Sequence, residues 1–379
     1  MIQRSIAALL KERLQKGDKI VIIYGPRQVG KTTLARTVIA DLEGRKLEIN
    51  ADQSQFNEAL SSRNLTKLRQ LADGYDILFI DEAQRIPEIG LNLKILHDEL
   101  PDLKVLATGS SSFDLASKIR EPLTGRTWSH TLFPIAVCEL AADLNRFELD
   151  ALLEDLLVFG AYPAIFSQTN RLDKIEYLQE IARSYLFKDI LEMGGIKFAP
   201  KLRDLVRLLA YKIGQEVSVN EISNALKTSR GTIDGYIDLL EKSFVVFRVG
   251  GYNRNMRKEV TRHDKIYFYD LGIRNAMIEN FLPIANRNDG GQLWENFLLL
   301  ERMKSRAYLR QRANTYFWRT TTGAELDLVE EANDQLYGFE FKFSQKTVNA
   351  PKSFIETYPN SSFKTINRDN YLDFLLEVV

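Results

Sequence analysis

Apolar residues in this chain follow two spacings, and the spacing changes along its length. Up to about residue 140, short unbroken apolar runs alternate with segments of helical period. The runs fall at 19–24, 45–50, 75–80, 104–107 and 128–133. Strands buried on both faces read as such runs. Their alternation with helices predicts an α/β domain, a mostly parallel sheet covered on both sides. From about 140 to 193 the pattern turns helical. Leu152, Leu153, Leu156 and Leu157 repeat at helix spacing, and Ile175, Leu178, Ile181 and Ala182 do so after the break Gly160-Ala161-Tyr162-Pro163. This segment reads as a small helical lid.

Gly194-Gly195 marks a boundary. Beyond it, Leu202, Leu205, Leu208 and Leu209 line one face of a helix over 201–212. Ser218-Val219-Asn220-Glu221 is a capping-box pattern that starts a second helix. A third helix runs through Ile233, Ile237 and Leu240, and a strand over 244–249 closes the unit. This order outlines a winged helix, whose reader helix would enter a DNA groove. After a turn at Gly290-Gly291 comes a helix with Trp294, Glu295 and Phe297, then strand-like runs at 316–319, 325–329 and 336–343. The last alternates cleanly: Phe339, Phe341 and Phe343 on one face, Glu340 and Lys342 on the other. The organisation expected is 1–140, 141–198, 199–285 and 286–379.

Composition narrows the class. Of 379 residues, 45% are apolar and 27% charged, which is globular usage. The formal net charge is zero, so any surface that attracts nucleic acid must be local. The single Cys138 permits no internal disulfide and fits a cytoplasmic protein. Three scattered histidines argue against a His/Cys zinc site or a serine–histidine hydrolase. The apolar stretch 6–10 is too brief for a signal sequence, and no run approaches the ~18 residues a membrane helix needs, so no membrane partner is expected.

The first apolar run leads into Gly25-Pro26-Arg27-Gln28-Val29-Gly30-Lys31-Thr32, the G-x-x-x-x-G-K-T spacing in its strand-to-helix setting. Glycines let the backbone wrap an anion, and successive N–H groups point inward as a nest. The following helix, beginning Thr32-Thr33, adds the positive end of its dipole. Lys31 is expected on the β- and γ-phosphates and the Thr32 hydroxyl on magnesium. The run at 75–80 ends in Asp81-Glu82. Asp81 at a strand's carboxyl end can hold the magnesium, and Glu82 can deprotonate the attacking water. The run at 104–107 ends in Thr108-Gly109-Ser110-Ser111. Ser110 is the first choice for a γ-phosphate contact there and Ser111 the second, although ordinary turn chemistry explains both serines. Arg126 is the candidate arginine finger, with Arg120 as alternative. It could act in cis; acting in trans, it would require a homo-oligomer.

Two further features bear on nucleic acid. Over 248–262, Arg248, Arg254, Arg257, Lys258 and Arg262 stand against Glu259, five minus one, a local +4. The reader helix carries Asp234, Asp238 and Glu241, which DNA would repel. Near the end, pairing of the last two strands would bring Asp327, Glu340 and Lys342 together. Two carboxylates can bind a second divalent metal through hard oxygens. A nearby lysine can position a water, and Glu295 could add a ligand. A half-solvated antiparallel strand also alternates apolar with charged.

These residues resemble bacterial and archaeal AAA+ ATPases with a nuclease-like C-terminal domain of uncharacterised function. The likeness rests on the loop at 25–32, Asp81-Glu82-Ala83-Gln84-Arg85, Thr108-Gly109-Ser110-Ser111 and Leu123-Thr124-Gly125-Arg126. It continues through Tyr162-Pro163, Lys188-Asp189-Ile190, Asp270-Leu271-Gly272, Trp294-Glu295-Asn296-Phe297, Trp318-Arg319, Glu325-Leu326-Asp327 and Glu340-Phe341-Lys342. Departures are Ala161, where a second glycine is commoner, and Ala136-Val137-Cys138-Glu139, where a serine and an aromatic residue are usual. The resemblance implies an ATP-binding AAA+ module, a winged-helix-like middle and a restriction-endonuclease-like end of the PD-(D/E)xK type, its triad Asp327, Glu340 and Lys342. Three functions follow: a magnesium-dependent ATPase, the same with cleavage of DNA or RNA, or a nucleotide-gated interaction module with a silent C-terminal site.

Overall fold

Five of the apolar runs become the strands of one parallel sheet: β1 (Ile20–Tyr24), β2 (Lys46–Asn50), β3 (Ile77–Asp81), β4 (Lys104–Gly109) and β5 (Thr127–Thr131). A computed structural model describes residues 2–110, 123–185, 199–252, 264–320, 322–344 and 346–377. Ser111, Arg120, Lys188, Asp189, Ile190, Gly194, Gly195, Arg254, Arg257, Lys258, Glu259 and Arg262, all named above, lie outside the described residues. The strand order is β2-β3-β4-β1-β5. Every residue of β1 and β3 is buried, while the edge strands β2 and β5 carry exposed positions. The order sets β4 between β1 and β3, so three strand ends converge on one spot. The sheet belongs to a unit of Met1–Pro134 with Lys242–Phe244.

The second unit comprises Ile135–Glu241 and Val245–Val379. Its middle contains the helices Ala199–Tyr211, Val219–Leu226 and Arg230–Lys242 with β6 (Glu216–Val217), β7 (Val246–Gly251) and β8 (Asp264–Phe268). The chain continues through the helix Gly290–Leu309 to β9 (Asn314–Arg319), β10 (Glu325–Ala332), β11 (Gln335–Phe341) and β12 (Ser361–Ile366). All seven strands form one mixed sheet, β12-β11-β10-β9-β7-β8-β6. The hairpin of the middle segment is thus continuous with the C-terminal strands, through the parallel pairing of β7 with β9.

Local expectations are adjusted in three places. Ser218 caps its helix by accepting from Glu221 N at 3.3 Å, but the Glu221 carboxylate turns away to Lys212 at 2.6 Å, so the box is half made. Gly290 and Gly291 form the first turn of a helix instead of preceding it. β11 stops at Phe341, which leaves Phe343 off the strand and edge-on to Trp294 at 5.6 Å.

One motif of the resemblance proves to be a joint. Asp270 caps the helix Leu271–Met277 by accepting from Ile273 N at 3.0 Å, and it also accepts from Ala161 N at 2.8 Å. Burial pushes its carboxyl up to about 6 against those hydrogen bonds. A Cβ on Gly272 would lie 2.1 Å from the Phe159 carbonyl oxygen, and one on Gly160 would lie 2.2 Å from Asp270 Oδ1. The departure at Ala136 also has a structural answer. Its N–H donates to Glu139 Oε2 at 2.9 Å and the Val137 N–H to Glu301 Oε2 at 2.6 Å, so the helix start needs no serine.

Candidate functional site

The phosphate loop occupies the turn between β1 and the helix Lys31–Ala40. Its glycines are required by geometry. Gly25 has φ +147° and an added Cβ would meet Leu132 O at 2.2 Å, while Gly30 has φ +93°. Arg4 braces the loop from outside, donating to Val29 O at 2.8 Å and to Phe133 O at 2.6 Å. Lys31 is buried, and its Nζ donates to the Gly25 and Pro26 carbonyls at 2.9 and 2.8 Å.

Across the loop, Thr32 Oγ1 donates to both oxygens of Asp81, at 3.0 and 2.9 Å. The two residues expected on magnesium therefore meet, and a hydroxyl beside a carboxylate is a hard oxygen pair suited to that ion. Thr108, at the end of β4, was not among the expected site residues. Its hydroxyl donates to Asp81 Oδ1 at 2.5 Å and accepts from Glu82 N at 3.1 Å, so one side chain orients both acidic positions. A threonine ending a buried strand beside a glycine was the available signal. Glu82 sits in the left-handed region at φ +53°, which turns its side chain off the line of β3, and its Oε2 accepts from Gln84 Nε2 at 2.5 Å. Ser110 is buried at the end of β4, between the other two strand ends.

Arg126 lies away from the loop. Its carbonyl accepts from Ile20 N at 3.0 Å, which puts it at the start of β5 beside the start of β1. The loop leaves from the far end of β1, about 16 Å away at the strand rise. The guanidinium instead holds Asp98 at 2.8 and 3.0 Å. Hydrogen bonds from Arg126 and His97 keep the Asp98 carboxyl at about 2. Arg126 does not reach the γ-phosphate position of its own loop.

The C-terminal residues do gather. The register of β10 on β11 sets Leu328 against Phe339, hence Asp327 against Glu340, and β10 is bulged against β9 between Leu326 and Val329. Bulges re-aim side chains in this way. Lys342 Nζ donates to Glu340 Oε1 at 2.6 Å, Asp327 Oδ2 accepts from Phe341 N at 2.7 Å, and Glu340 Oε2 is buried with no hydrogen-bond partner among the described residues. Burial, with Glu295 and Glu340 nearby, pushes the Asp327 carboxyl up to about 8. Glu295 departs from the expected ligand role. Its Oε1 accepts from Lys265 Nζ at 3.1 Å and Tyr267 OH at 2.5 Å. Among the described residues, no group of three or more His, Cys, Asp or Glu side chains is placed to hold a metal ion.

The charge expected to favour DNA is altered as well. Arg248 is engaged by Asp238 at 2.5 Å and Glu241 at 2.9 Å, so it neutralises acids of the supposed reader helix and is not left for phosphates. Among the described residues, no helix is long and apolar enough to cross a membrane.

The first unit is an AAA-type ATPase domain: residues 17–141 match the family model described as an AAA domain. Residues 150–283 and 290–370 match two domains of unknown function, DUF8612 and DUF4143, and the latter description carries no nuclease activity. The uncharacterized proteins Rv2008c of Mycobacterium tuberculosis and Mb2031c of Mycobacterium bovis are each 30% identical over 346 residues, 90% of this chain and 74% of theirs. The chain belongs to the family of these mycobacterial proteins. The uncharacterized protein MJ1637 of Methanocaldococcus jannaschii is 26% identical over 315 residues, 71% of this chain and 65% of its own. Among solved structures, the Walker-type ATPase PABY2304 of Pyrococcus abyssi is similar at 16% identity, covering 73% of this chain and 96% of that one, with a TM-score of 0.49.

Proposed function

We propose that the chain binds ATP with magnesium in its first unit, hydrolyses it, and couples turnover to rearrangement of the second unit. The observation that carries this reading is the Thr32 hydroxyl on both oxygens of Asp81, at the foot of the loop. Residues 25–33 would cradle the phosphates by backbone N–H groups. Lys31 would exchange its two loop carbonyls for phosphate oxygens. Thr32 and Asp81 would hold magnesium, which when bound neutralises charge on the β- and γ-phosphate oxygens. Glu82 would take the proton of the attacking water, with Thr108 fixing its backbone. Ser110, at the end of β4 between the ends of β1 and β3, would contact the γ-phosphate. Arg126, held by Asp98 at the opposite end of β1, would act as a finger in trans, on a second copy of the chain. Steady-state phosphate release from ATP, dependent on magnesium and saturable in nucleotide, is the test. Absence of saturable triphosphate binding overturns the reading.

The helix, strand, helix, helix, strand, strand order of 199–268 supports a winged helix. With Arg248 neutralised, protein docking suits it better than DNA. A second reading concerns Asp327, Glu340 and Lys342, whose convergence beside a bulge supports metal-assisted cleavage of a phosphodiester. Asp327 and the orphaned Glu340 Oε2 would hold a divalent cation, and Lys342 would position a water. The expected result is cleavage of single- or double-stranded DNA or RNA in Mn²⁺ that Lys342→Ala reduces by about 10²-fold or more. Cleavage at equal rates in both proteins removes the lysine's role. No cleavage by the parent chain leaves a silent site, as in the nucleotide-gated interaction reading.

A further inference from the structure

Lys265 reaches the carboxylate cluster from β8, outside the C-terminal segment. Its side chain is 4% exposed, and its Nζ lies 3.1 Å from Glu295 Oε1 and 2.7 Å from Glu325 Oε1. Tyr267, two residues along the same strand and so on the same face, donates to that same Glu295 oxygen. On the other side, a Cβ added to Gly214 would lie 3.2 Å from Glu295 Oε2, so the backbone closes the space there. Arg319 stands 3.9 Å from the second Glu325 oxygen. Desolvation opposes the charge on Lys265, but Glu295 and Glu325 outweigh it and raise its pKa. Glu295 is thus a nearly buried carboxylate already furnished with a cation by its own chain.

A buried carboxylate is held charged by whichever cation sits on it, and an ammonium and a divalent ion compete for the same oxygen. We propose that Lys265 is a built-in counter-cation that keeps Glu295 out of a metal's coordination sphere and so sets the affinity of the Asp327–Glu340 pair for divalent ions. The assignment rests on the second reading above. It accounts for Glu295 turning its Oε1 to Lys265 and Tyr267. It also gives the pairing of β7 with β9 a consequence, because that pairing carries β8 and its lysine into the C-terminal sheet.

The test is Mn²⁺ titration by calorimetry and by loss of the free-ion electron paramagnetic resonance signal. It is run without nucleotide, in an Asp81→Asn background that removes the first site. Lys265→Met should tighten Mn²⁺ binding at least tenfold, and Lys265→Arg, which keeps the cation, should leave it as in the parent. In a Glu295→Gln background the gain from Lys265→Met should vanish, because no anionic carboxylate is then released. A gain that persists there is general charge repulsion, and it overturns the proposal. Binding that Asp327→Asn abolishes but Lys265→Met does not change also overturns it, while leaving the metal reading intact. Binding in none of the proteins sinks both. Near-ultraviolet circular dichroism reports whether Lys265→Met folds. If it does not, the Lys265→Gln protein takes its place in the cycle, with the same outcomes.

Discussion

Glu82→Gln protein is expected to hold ATP and magnesium with near-parental affinity and to release phosphate about 10²–10⁴-fold more slowly. The amide fills the same space and can still accept from Gln84, so binding is retained, but it cannot take a proton from water. Lys31→Ala should behave in the opposite way. It removes the one ammonium of the loop, whose Nζ lies 2.9 and 2.8 Å from two loop carbonyls, and saturable nucleotide binding should be lost. Equilibrium titration with a fluorescent ATP analogue, beside steady-state phosphate release, separates the two. Unchanged turnover by Glu82→Gln refutes the assigned base. Tight ATP binding by Lys31→Ala refutes the loop as the phosphate site.

Gly272→Ala should destabilise the second unit by about 3 kcal/mol or more, lowering its thermal midpoint by roughly 6–12 °C. The added methyl would enter the Phe159 carbonyl oxygen at 2.1 Å and approach Asp270 Oδ1 at 3.0 Å. Neither is a flexible tip that could step aside. Relief would have to separate the helix Leu271–Met277 from the end of the helix Arg146–Phe159, and with it the Asp270 bond to Ala161 N. The same substitution at Gly235 has the opposite sign. That glycine lies in the helix Arg230–Lys242 with nothing within 4 Å of an added Cβ. Removing its backbone freedom should stabilise by about 0.5–1 kcal/mol. Differential scanning calorimetry of the two variants checks both. Equal midpoints would show that the Asp270–Gly272 joint contributes nothing.

Much of the nucleotide site was legible because it is local. A tight anion cradle needs glycines at fixed spacing, a lysine and a hydroxyl within one turn, and an apolar strand on either side, all close together in the chain. Asp81 was legible for a related reason: an unbroken apolar run that ends in an acid marks a strand's carboxyl end. Thr108 escaped because its role exists only once β4 inserts between β3 and β1. Arg126 was assigned to the site on residue type, and only the sheet showed it at the opposite end of β1 from the loop. In the C-terminal segment, period-two alternation marked the face shared by Glu340 and Lys342. It could not show that β11 stops at Phe341 or that Lys265 sits on Glu295.

By itself, then, the order of residues determined the elements and the phosphate loop, because these depend on neighbours a few positions apart and on steric limits of the backbone. It also named the acids and lysines able to do chemistry. The folded chain decided which of them meet. The pairing of β7 with β9 merges two expected domains into one sheet and delivers Lys265 to a cluster that begins 30 residues downstream. The parallel pairing of β5 with β1 sets Arg126 at the opposite end of β1 from the loop. Such outcomes depend on long-range pairing and on competition among charged groups for a few buried partners, and neither leaves a mark in local spacing.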